Sequence, residues 1–231
     1  NTVKTTADKN LFDLRDKTVL AVEPDDVQRV DVTVGDTRFQ MMRTGEQEWQ
    51  ISEPMQAQAD RSKIRSFVTK IKNGKVKEFV DEQPDDLSQY GLVEPATKLV
   101  FWMGEAGAES QWSSKGLLLG STSSVSGQLY AKREGQSNVF AVEPSILADM
   151  PATPDSIRMR KVTDIRSWDV DTFSVARAGD VVFEASKEDS QWIVLKPEEG
   201  EAEYSTVSDV LRKITDLEIH EFVDDVEDES A

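Results

Sequence analysis

The sequence predicts an α+β fold made of two related units, each an antiparallel β-meander packed by an amphipathic helix with a returning strand. The main evidence is an internal repeat, because Glu78–Asp81 returns as Glu221–Asp224, 143 positions later. Two single residues recur at the same offset: Trp49 as Trp192, and Pro54 as Pro197. Both copies also change from strand-like alternation to helical spacing in the same order. A repeat with these properties predicts one supersecondary unit that is built twice.

The strands of the first unit are predicted from alternation and turn signals. Val30, Val32 and Val34 repeat at period 2, which places them on one face of a strand. Gly35 and Asp36 form a hairpin turn signal. Two further strands of the meander are expected over Phe39–Arg43 and Glu48–Ile51.

An amphipathic helix follows in the first unit. Its apolar face has the spacing i, i+3, i+4 and i+7, and comprises Ile64, Phe67, Val68 and Ile71. Asp60 or Ser62 is expected to cap the N-terminus, because a short side-chain oxygen satisfies free N–H groups. Gly74 is expected to end the helix in the left-handed conformation, before a returning strand over Lys75–Val80.

The second unit is predicted to repeat this order. Its helical face has the same spacing and comprises Val207, Val210, Leu211 and Ile214. We expect each helix to pack on the sheet face that carries the tryptophan of its unit. A last strand is expected over Glu218–Val223.

These signals divide the chain into five segments. The expected segments are a flexible leader over 1–13, a first repeat unit with a β-rich extension over 14–150, a linker over 151–156, a second, partial repeat unit over 157–225, and an acidic tail over 226–231. The β-rich runs of the extension are 98–103, 117–120, 128–132 and 139–142. The second unit has no counterpart of this extension, which is why it is expected to be partial.

Composition restricts the classes of function. The net charge of −17 and the pI near 4.5 argue against nucleic acid, because binding phosphates requires a basic surface. The chain contains no cysteine, so disulfides and thiolate metal sites are excluded. It begins at Asn1 and has no apolar run of about 20 residues, the length of a membrane span. We therefore expect membrane contact only through an N-terminal anchor that has been removed.

The sequence contains no recognisable catalytic constellation, and we expect no catalytic residue, cofactor or metal. His220 is the only histidine, and its counterpart in the repeat is Lys77, which indicates a solvent-facing position. The densest interior group of carboxylates comprises Asp81, Glu82, Asp85 and Asp86. A solvated turn is favoured over a Ca²⁺ site for this group, and a carboxylate-based hydrolase stays an open alternative.

The tryptophans fall into two classes. Trp49 and Trp192 occupy equivalent strand positions, which favours core anchors over stacking platforms for carbohydrate. Trp102 and Trp112 have no counterpart in the repeat. They are therefore the candidate residues for a ligand- or partner-binding surface.

Several short motifs occur in a fixed order along the chain. They are Trp49-x-Ile51-x-x-Pro54, Leu87-x-x-Tyr90-Gly91-Leu92-x-x-Pro95, Leu119-Gly120 and Tyr130. In this combination they resemble the bacterial domain-of-unknown-function family 4340. The resemblance extends fully over residues 14–150 and partially over 157–225.

The resemblance implies a non-enzymatic, extracytoplasmic interaction module. Members of that family resemble proteins tethered to the inner membrane by one N-terminal span, with a body on the periplasmic side. Their partners are expected in the cell envelope, as an ABC-type permease or auxiliary subunit similar to gliding-motility proteins. The resemblance implies no catalytic residues. The alternative from the residues is a glycan- or small-ligand-binding module that uses Trp102, Trp112 or the cleft between the units.

Overall fold

The computed structural model describes residues 11–163 and 165–223. Contacts divide the chain into two compact units, with the boundary between Met159 and Arg160. Both units combine an antiparallel sheet with few helices, which confirms the predicted α+β class. The relation of the two units by duplication stays a prediction. Residues 1–10 of the expected leader and the whole expected tail over 226–231 lie outside the described residues.

A nine-stranded antiparallel sheet forms the described part of the first unit. Its strands are β1 (Val27–Val34), β2 (Thr37–Arg43), β3 (Trp49–Glu53), β4 (Ala57–Ala59), β5 (Glu78–Asp81), β6 (Thr97–Met103), β7 (Ser113–Thr122), β8 (Leu129–Arg133) and β9 (Val139–Val142). Across the sheet the order is β4-β3-β2-β1-β6-β7-β8-β9-β5. The predicted meander is therefore one side of a larger sheet, to which the β-rich extension adds β6 to β9.

The first hairpin forms as predicted. Val34 pairs with Thr37, so Gly35 and Asp36 are the two residues of the turn between β1 and β2. Gly35 has a φ of +55°, a conformation that glycine adopts without steric cost. Beyond the turn, buried residues alternate along β1 and β2, as a sheet with one covered face requires.

The helices with α-helical geometry are α1 (Leu11–Leu14), α2 (Arg61–Asn73), α3 (Pro154–Ile157) and α4 (Tyr204–Thr215). Of the two expected caps for α2, Asp60 is the residue that caps it. Its carboxylate accepts from the backbone N–H groups of Ser62 and Lys63, at 2.9 and 3.1 Å. No helix in the described ranges combines the length and apolar character needed to cross a bilayer.

The end of α2 differs from the expectation. Gly74 has a φ of −55°, so it does not adopt the left-handed conformation. A Cβ at this position would lie 2.8 Å from Cδ1 of Ile146, closer than atoms in contact can approach. Close packing against Ile146 therefore favours glycine here, rather than the backbone conformation.

The core of the first unit lies between α2 and the sheet. All four residues of the predicted apolar face of α2 are buried. The ring of Phe67 packs on that of Phe101 in β6, with 5.9 Å between the centroids. Trp49 is buried in the same core, which confirms its interpretation as a core residue. The strands of the extension thus complete the cover of α2.

Residues 151–159 continue the first unit. Thr153 caps α3 through its side-chain oxygen, and Ile157 is buried in the core of this unit. The backbone N–H of Met159 donates to the carbonyl of Gln58 in β4 at 2.9 Å. These contacts place the boundary between the units after Met159.

A four-stranded antiparallel sheet and α4 form the described part of the second unit. The strands are β10 (Thr172–Arg177), β11 (Asp180–Glu188), β12 (Gln191–Lys196) and β13 (Gly200–Glu201), and they are adjacent in this order. The buried core comprises Ala185, Trp192, Val207 and Leu211. The burial of Trp192 confirms the predicted core position.

Two expectations for the second unit are wrong. Val210 and Ile214 of the predicted buried helical face are exposed. The segment 218–223 forms a single bridge, between Lys161 and Glu218, instead of a strand. In the first unit, β6 covers the helix and β9 pairs with the returning strand β5, whereas no described strand of the second unit makes either contact.

Candidate functional site

Trp102 lies on the outer face of the first sheet, opposite the core. Its neighbour Phe101 points into the core and is buried, so strand alternation directs Trp102 outward. The indole N–H of Trp102 donates to the carboxylate of Asp31 at 2.8 Å. The guanidinium of Arg29 lies over the indole ring, 4.6 Å from its centroid. Trp102 is therefore half-buried and held by two neighbours on β1.

Arg29 and Asp31 complete this group. Two guanidinium nitrogens of Arg29 donate to the two carboxylate oxygens of Asp31, at 2.8 and 2.9 Å. The hydrogen bond to the carboxylate raises the pKa of Arg29 above its ordinary value. Both carboxylate oxygens of Asp31 accept hydrogen bonds from side chains of the same sheet, and one of these donors is the indole N–H of Trp102. The part of Trp102 that a ligand could contact is therefore the ring surface that Arg29 does not cover.

Trp112 lies at the same end of the β6–β7 hairpin. Met103 pairs with Ser113, which brings Trp102 and Trp112 to the same end of the two strands. The indole N–H of Trp112 donates to the carbonyl of Glu105 at 2.8 Å. A Cβ on Gly104 would lie 2.4 Å from the Trp112 ring, so the ring covers this glycine. Trp112 thus packs against the loop that connects β6 and β7. A ligand-binding role for Trp102 and Trp112 stays a prediction.

The Tyr-Gly-Leu motif meets Gly120 of the Leu-Gly motif and Tyr130 on the outer face of the same sheet. Tyr90 packs edge-on against Tyr130, with 5.1 Å between the ring centroids. A Cβ on Gly120 would lie 2.1 Å from the carbonyl oxygen of Tyr90, so the two backbones approach closely. Gly91 has a φ of +65°, which favours glycine. These motif residues therefore form a packing cluster.

Tyr90 also anchors the carboxylate-rich turn. Its hydroxyl donates to Asp81 at 3.0 Å. Burial and this hydrogen bond raise the pKa of Tyr90 above its ordinary value. Asp86 accepts from the backbone N–H and the hydroxyl of Ser88, which lowers the pKa of Asp86. Asp81 and Asp86 thus accept hydrogen bonds from residues of the turn and its neighbour Tyr90, in agreement with the favoured interpretation of a solvated turn.

The remaining candidates for chemistry are the potential metal-ligating side chains and His220. Within the described ranges, no group of three or more His, Cys, Asp or Glu side chains has the proximity needed to hold a metal ion. His220 is exposed, as predicted from its repeat counterpart.

A groove of about 770 Å³ runs between α2 and the segment that follows β9. The basic residues along it are Arg65, Lys70, Lys75 and Lys77. Three of them form ion pairs: Arg65 with Asp25 at 2.5 Å, Lys70 with Asp149 at 3.3 Å, and Lys77 with Glu143 at 3.0 Å. The acidic partners offset much of the positive charge, so the groove is not a concentrated anion site.

The second unit carries most of the exposed apolar surface. Of the fifteen large apolar residues that are exposed in the described ranges, twelve belong to it: Val162, Ile165, Trp168, Val175, Val181, Val182, Leu195, Tyr204, Val210, Ile214, Leu217 and Val223. The sequence did not single out this surface as a site, because its helical spacing also fits a covered helix.

Two of these exposed residues flank a small groove in the second unit. Trp168 and Tyr204 line it together with the buried Trp192, and its volume is about 210 Å³. Lys187 and Ser208 supply polar groups. Aromatic side chains beside a few polar groups also line ligand sites, most of which are larger, at about 300–1,000 Å³. Trp168 and Tyr204 are thus candidate residues that sequence reasoning missed.

Comparisons with known proteins identify a family. A family model described as "Domain of unknown function (DUF4340)" matches residues 49–231. The match covers most of the chain, which therefore belongs to this family. No curated protein and no solved structure matches the chain.

Proposed function

We propose that this chain is a non-enzymatic interaction module of the cell envelope, accessory to an ABC-type transport or envelope machine. The observation that supports the proposal best is the concentration of exposed apolar side chains in the second unit. Scattered exposed apolar residues are ordinary, whereas adjacent ones mark an interaction surface, and Val210 and Ile214 lie one turn apart on α4. The second unit is therefore the part of the chain that binds a protein partner.

The envelope setting and the partner class belong to the same proposal. They come from the resemblance of family members to membrane-tethered proteins with a periplasmic body. On this proposal the partner is an ABC-type permease or its auxiliary subunit. The absence of cysteine agrees with an extracytoplasmic compartment, where free thiols are prone to oxidation.

Chemical crosslinking in cells tests this proposal. The tagged full-length protein is crosslinked at native expression level, purified under denaturing conditions and analysed by mass spectrometry. We expect enrichment of an ABC-type permease or auxiliary subunit over a control strain without the tag. Recovery of the bait alone, or of no envelope protein above the control, would overturn the proposal.

A glycan- or small-ligand-binding module is the second candidate function. The groove that Trp168 and Tyr204 flank favours it, because aromatic rings can stack on the apolar faces of sugars. Titration with envelope glycan fragments should then change tryptophan fluorescence in the parent protein. The change should disappear in Trp168→Ala and persist in Trp112→Phe. An unchanged spectrum across the panel would remove this candidate.

A further inference from the structure

The groove that Trp168 and Tyr204 flank has a counterpart in the first unit. Both grooves contain the buried tryptophan of their unit, Trp49 or Trp192. Five residues that line the groove of the first unit recur 143 positions later in that of the second: Pro24 as Ser167, Trp49 as Trp192, Arg61 as Tyr204, Arg65 as Ser208, and Val68 as Leu211. We call the groove of the second unit the Trp192 groove.

The strands β6 to β9 take no part in the groove of the first unit. All the residues that line this groove lie within 24–68, whereas β6 begins at Thr97. The groove over the tryptophan is therefore built by the meander, the helix and the segment before the meander, which occur in both units. It is separate from the apolar face of the helix that β6 covers in the first unit.

An arginine fills the groove of the first unit. Arg43 pairs with Trp49 across β2 and β3, and its guanidinium lies over the indole ring, 5.4 Å from the centroid. The guanidinium also donates to the backbone carbonyls of Asp25 and Pro24, at 3.0 and 3.3 Å. The volume that stays open is only about 10 Å³. The first unit thus closes this groove with one of its own side chains.

A lysine takes the matching position in the second unit, and the groove there is open. Lys187 pairs with Trp192 across β11 and β12, as Arg43 pairs with Trp49. Its ammonium has no hydrogen-bond or ion-pair partner within residues 11–163 and 165–223. The open volume is about 210 Å³. Both the cation and the space beside it are therefore available to a ligand.

The charge of the Trp192 groove is opposite to that of the whole chain. The chain has a net charge of −17, yet the residues that line the groove include one lysine and neither Asp nor Glu. The hydroxyls of Ser208 and Tyr204 also lack a protein partner in the described part of the chain. An ammonium and free hydroxyls bind oxygen atoms, most strongly those of an anion. One ammonium matches the single charge of a carboxylate, whereas a phosphate monoester carries about −1.5 to −2.

We infer that the Trp192 groove binds an acidic sugar, with its carboxylate on the ammonium of Lys187 and its ring stacked on Trp168 or Tyr204. Exposed aromatic rings offer apolar faces to the C–H groups of a sugar, and both of these rings are exposed. The volume is below the range of about 300–1,000 Å³ for drug-sized ligands, so it suits a single sugar ring. The inference rests on the second candidate function, since it names the class of ligand for the same groove.

Titration of the full-length protein with monosaccharides tests the inference. The probes are the methyl glycosides of glucuronic, galacturonic and mannuronic acid. Methyl glucoside, galactoside and mannoside are the matched neutral sugars, because each differs from its acid only by a hydroxymethyl group in place of the carboxylate. Tryptophan fluorescence gives the Kd of each sugar for the parent protein and two variants.

The variants separate the groove from the rest of the surface. Lys187→Met keeps the length of the side chain and removes its charge. Lys213→Met is the matched control, because Lys213 is an exposed lysine of α4 that does not line the groove. Circular dichroism verifies that each variant is folded.

At least one acidic sugar should bind the parent protein about tenfold more tightly than its neutral counterpart, as expected for a hydrogen bond to a charged group. Lys187→Met should remove this preference, and Lys213→Met should keep it. Equal affinities for acidic and neutral sugars, or a preference that persists in Lys187→Met, would overturn the inference. If envelope glycan fragments bind without any preference for the acids, the inference fails and the second candidate function stands. If neither the fragments nor the monosaccharides bind, both fail.

Discussion

The indole N–H of Trp102 donates to the carboxylate of Asp31 at 2.8 Å, across the pairing of β1 with β6. Arg29 holds the same carboxylate through two further hydrogen bonds. The three side chains form a closed polar group on the outer face of the sheet. A tryptophan that the sequence nominates as a binding residue is thus fixed by its own sheet.

Asp31→Ala should loosen Trp102 and modestly destabilise the first unit. The carboxylate is part-exposed, so we expect the free energy of unfolding to fall by about 1 kcal/mol, below the value for a buried charged hydrogen bond. The indole N–H resonance of Trp102 should shift toward its solvent-exposed position. Denaturant unfolding and NMR check both effects. Thr33→Ala, on the same strand and face, should leave the resonance unchanged; an equal shift in both variants would contradict the assignment.

Gly120→Ala should destabilise the packing cluster of the family motifs. The new Cβ would lie 2.1 Å from the backbone oxygen of Tyr90, which cannot move without shifting the Tyr-Gly-Leu turn. We expect a loss of about 2 kcal/mol in unfolding free energy, typical of overpacking. Gly200→Ala is the matched control, because a Cβ at Gly200 would meet no atom within 4 Å. Thermal unfolding that ranks the two variants equally would refute this explanation.

Tyr90 should make stability fall at alkaline pH. Burial first, and then the hydrogen bond to Asp81, raise its pKa above the ordinary value of 10.0, so the fold favours the neutral hydroxyl. This contribution is fully present below pH 10.0 and is lost as the pH rises through the higher folded-state pKa. Unfolding free energies measured from neutral to alkaline pH should fall more steeply in the parent protein than in Tyr90→Phe. Parallel curves would show that Tyr90 is not the group responsible.

Trp192→Ala should unfold the second unit while the first unit stays folded. The buried core there is small, and removing its largest side chain should cost about 3–5 kcal/mol. Hydrogen exchange should then lose protection in β10 to β12 and retain it in β1 and β6. Trp168→Ala is the control, because Trp168 is exposed. Simultaneous loss of protection in both units would mean that they do not unfold separately.

Features set by local burial could be predicted from the sequence. The alternation in β1 and the apolar face of α2 follow directly from covering one side of each element. Features set by distant contacts could not. The strands β4 and β13 have three and two residues, too few to show a period, and form only because a neighbouring strand pairs with them.

The candidate site shows the same limit. At the end of α2, close packing against Ile146 favours glycine at position 74, whereas the local sequence predicts a glycine in the left-handed conformation. The hydrogen bond from Trp102 joins residues 71 positions apart, and no pattern near either residue indicates it. The apolar spacing of Val210 and Ile214 predicts a covered face, but such cover comes from distant strands, and no described strand covers these two residues.

The most direct test of the proposed binding surface compares Val210→Lys with Val125→Lys. Both residues are exposed, so neither substitution should unfold the protein; Val210 belongs to the second unit, whereas Val125 lies between β7 and β8 of the first unit. The partner identified by crosslinking is purified with each variant and quantified. If the exposed apolar side chains of the second unit bind the partner, Val210→Lys should reduce its recovery by about tenfold, because burying an unpaired charge costs more than about 1.4 kcal/mol, and Val125→Lys should leave recovery unchanged. Equal recovery with both variants, or loss with Val125→Lys alone, would contradict the account.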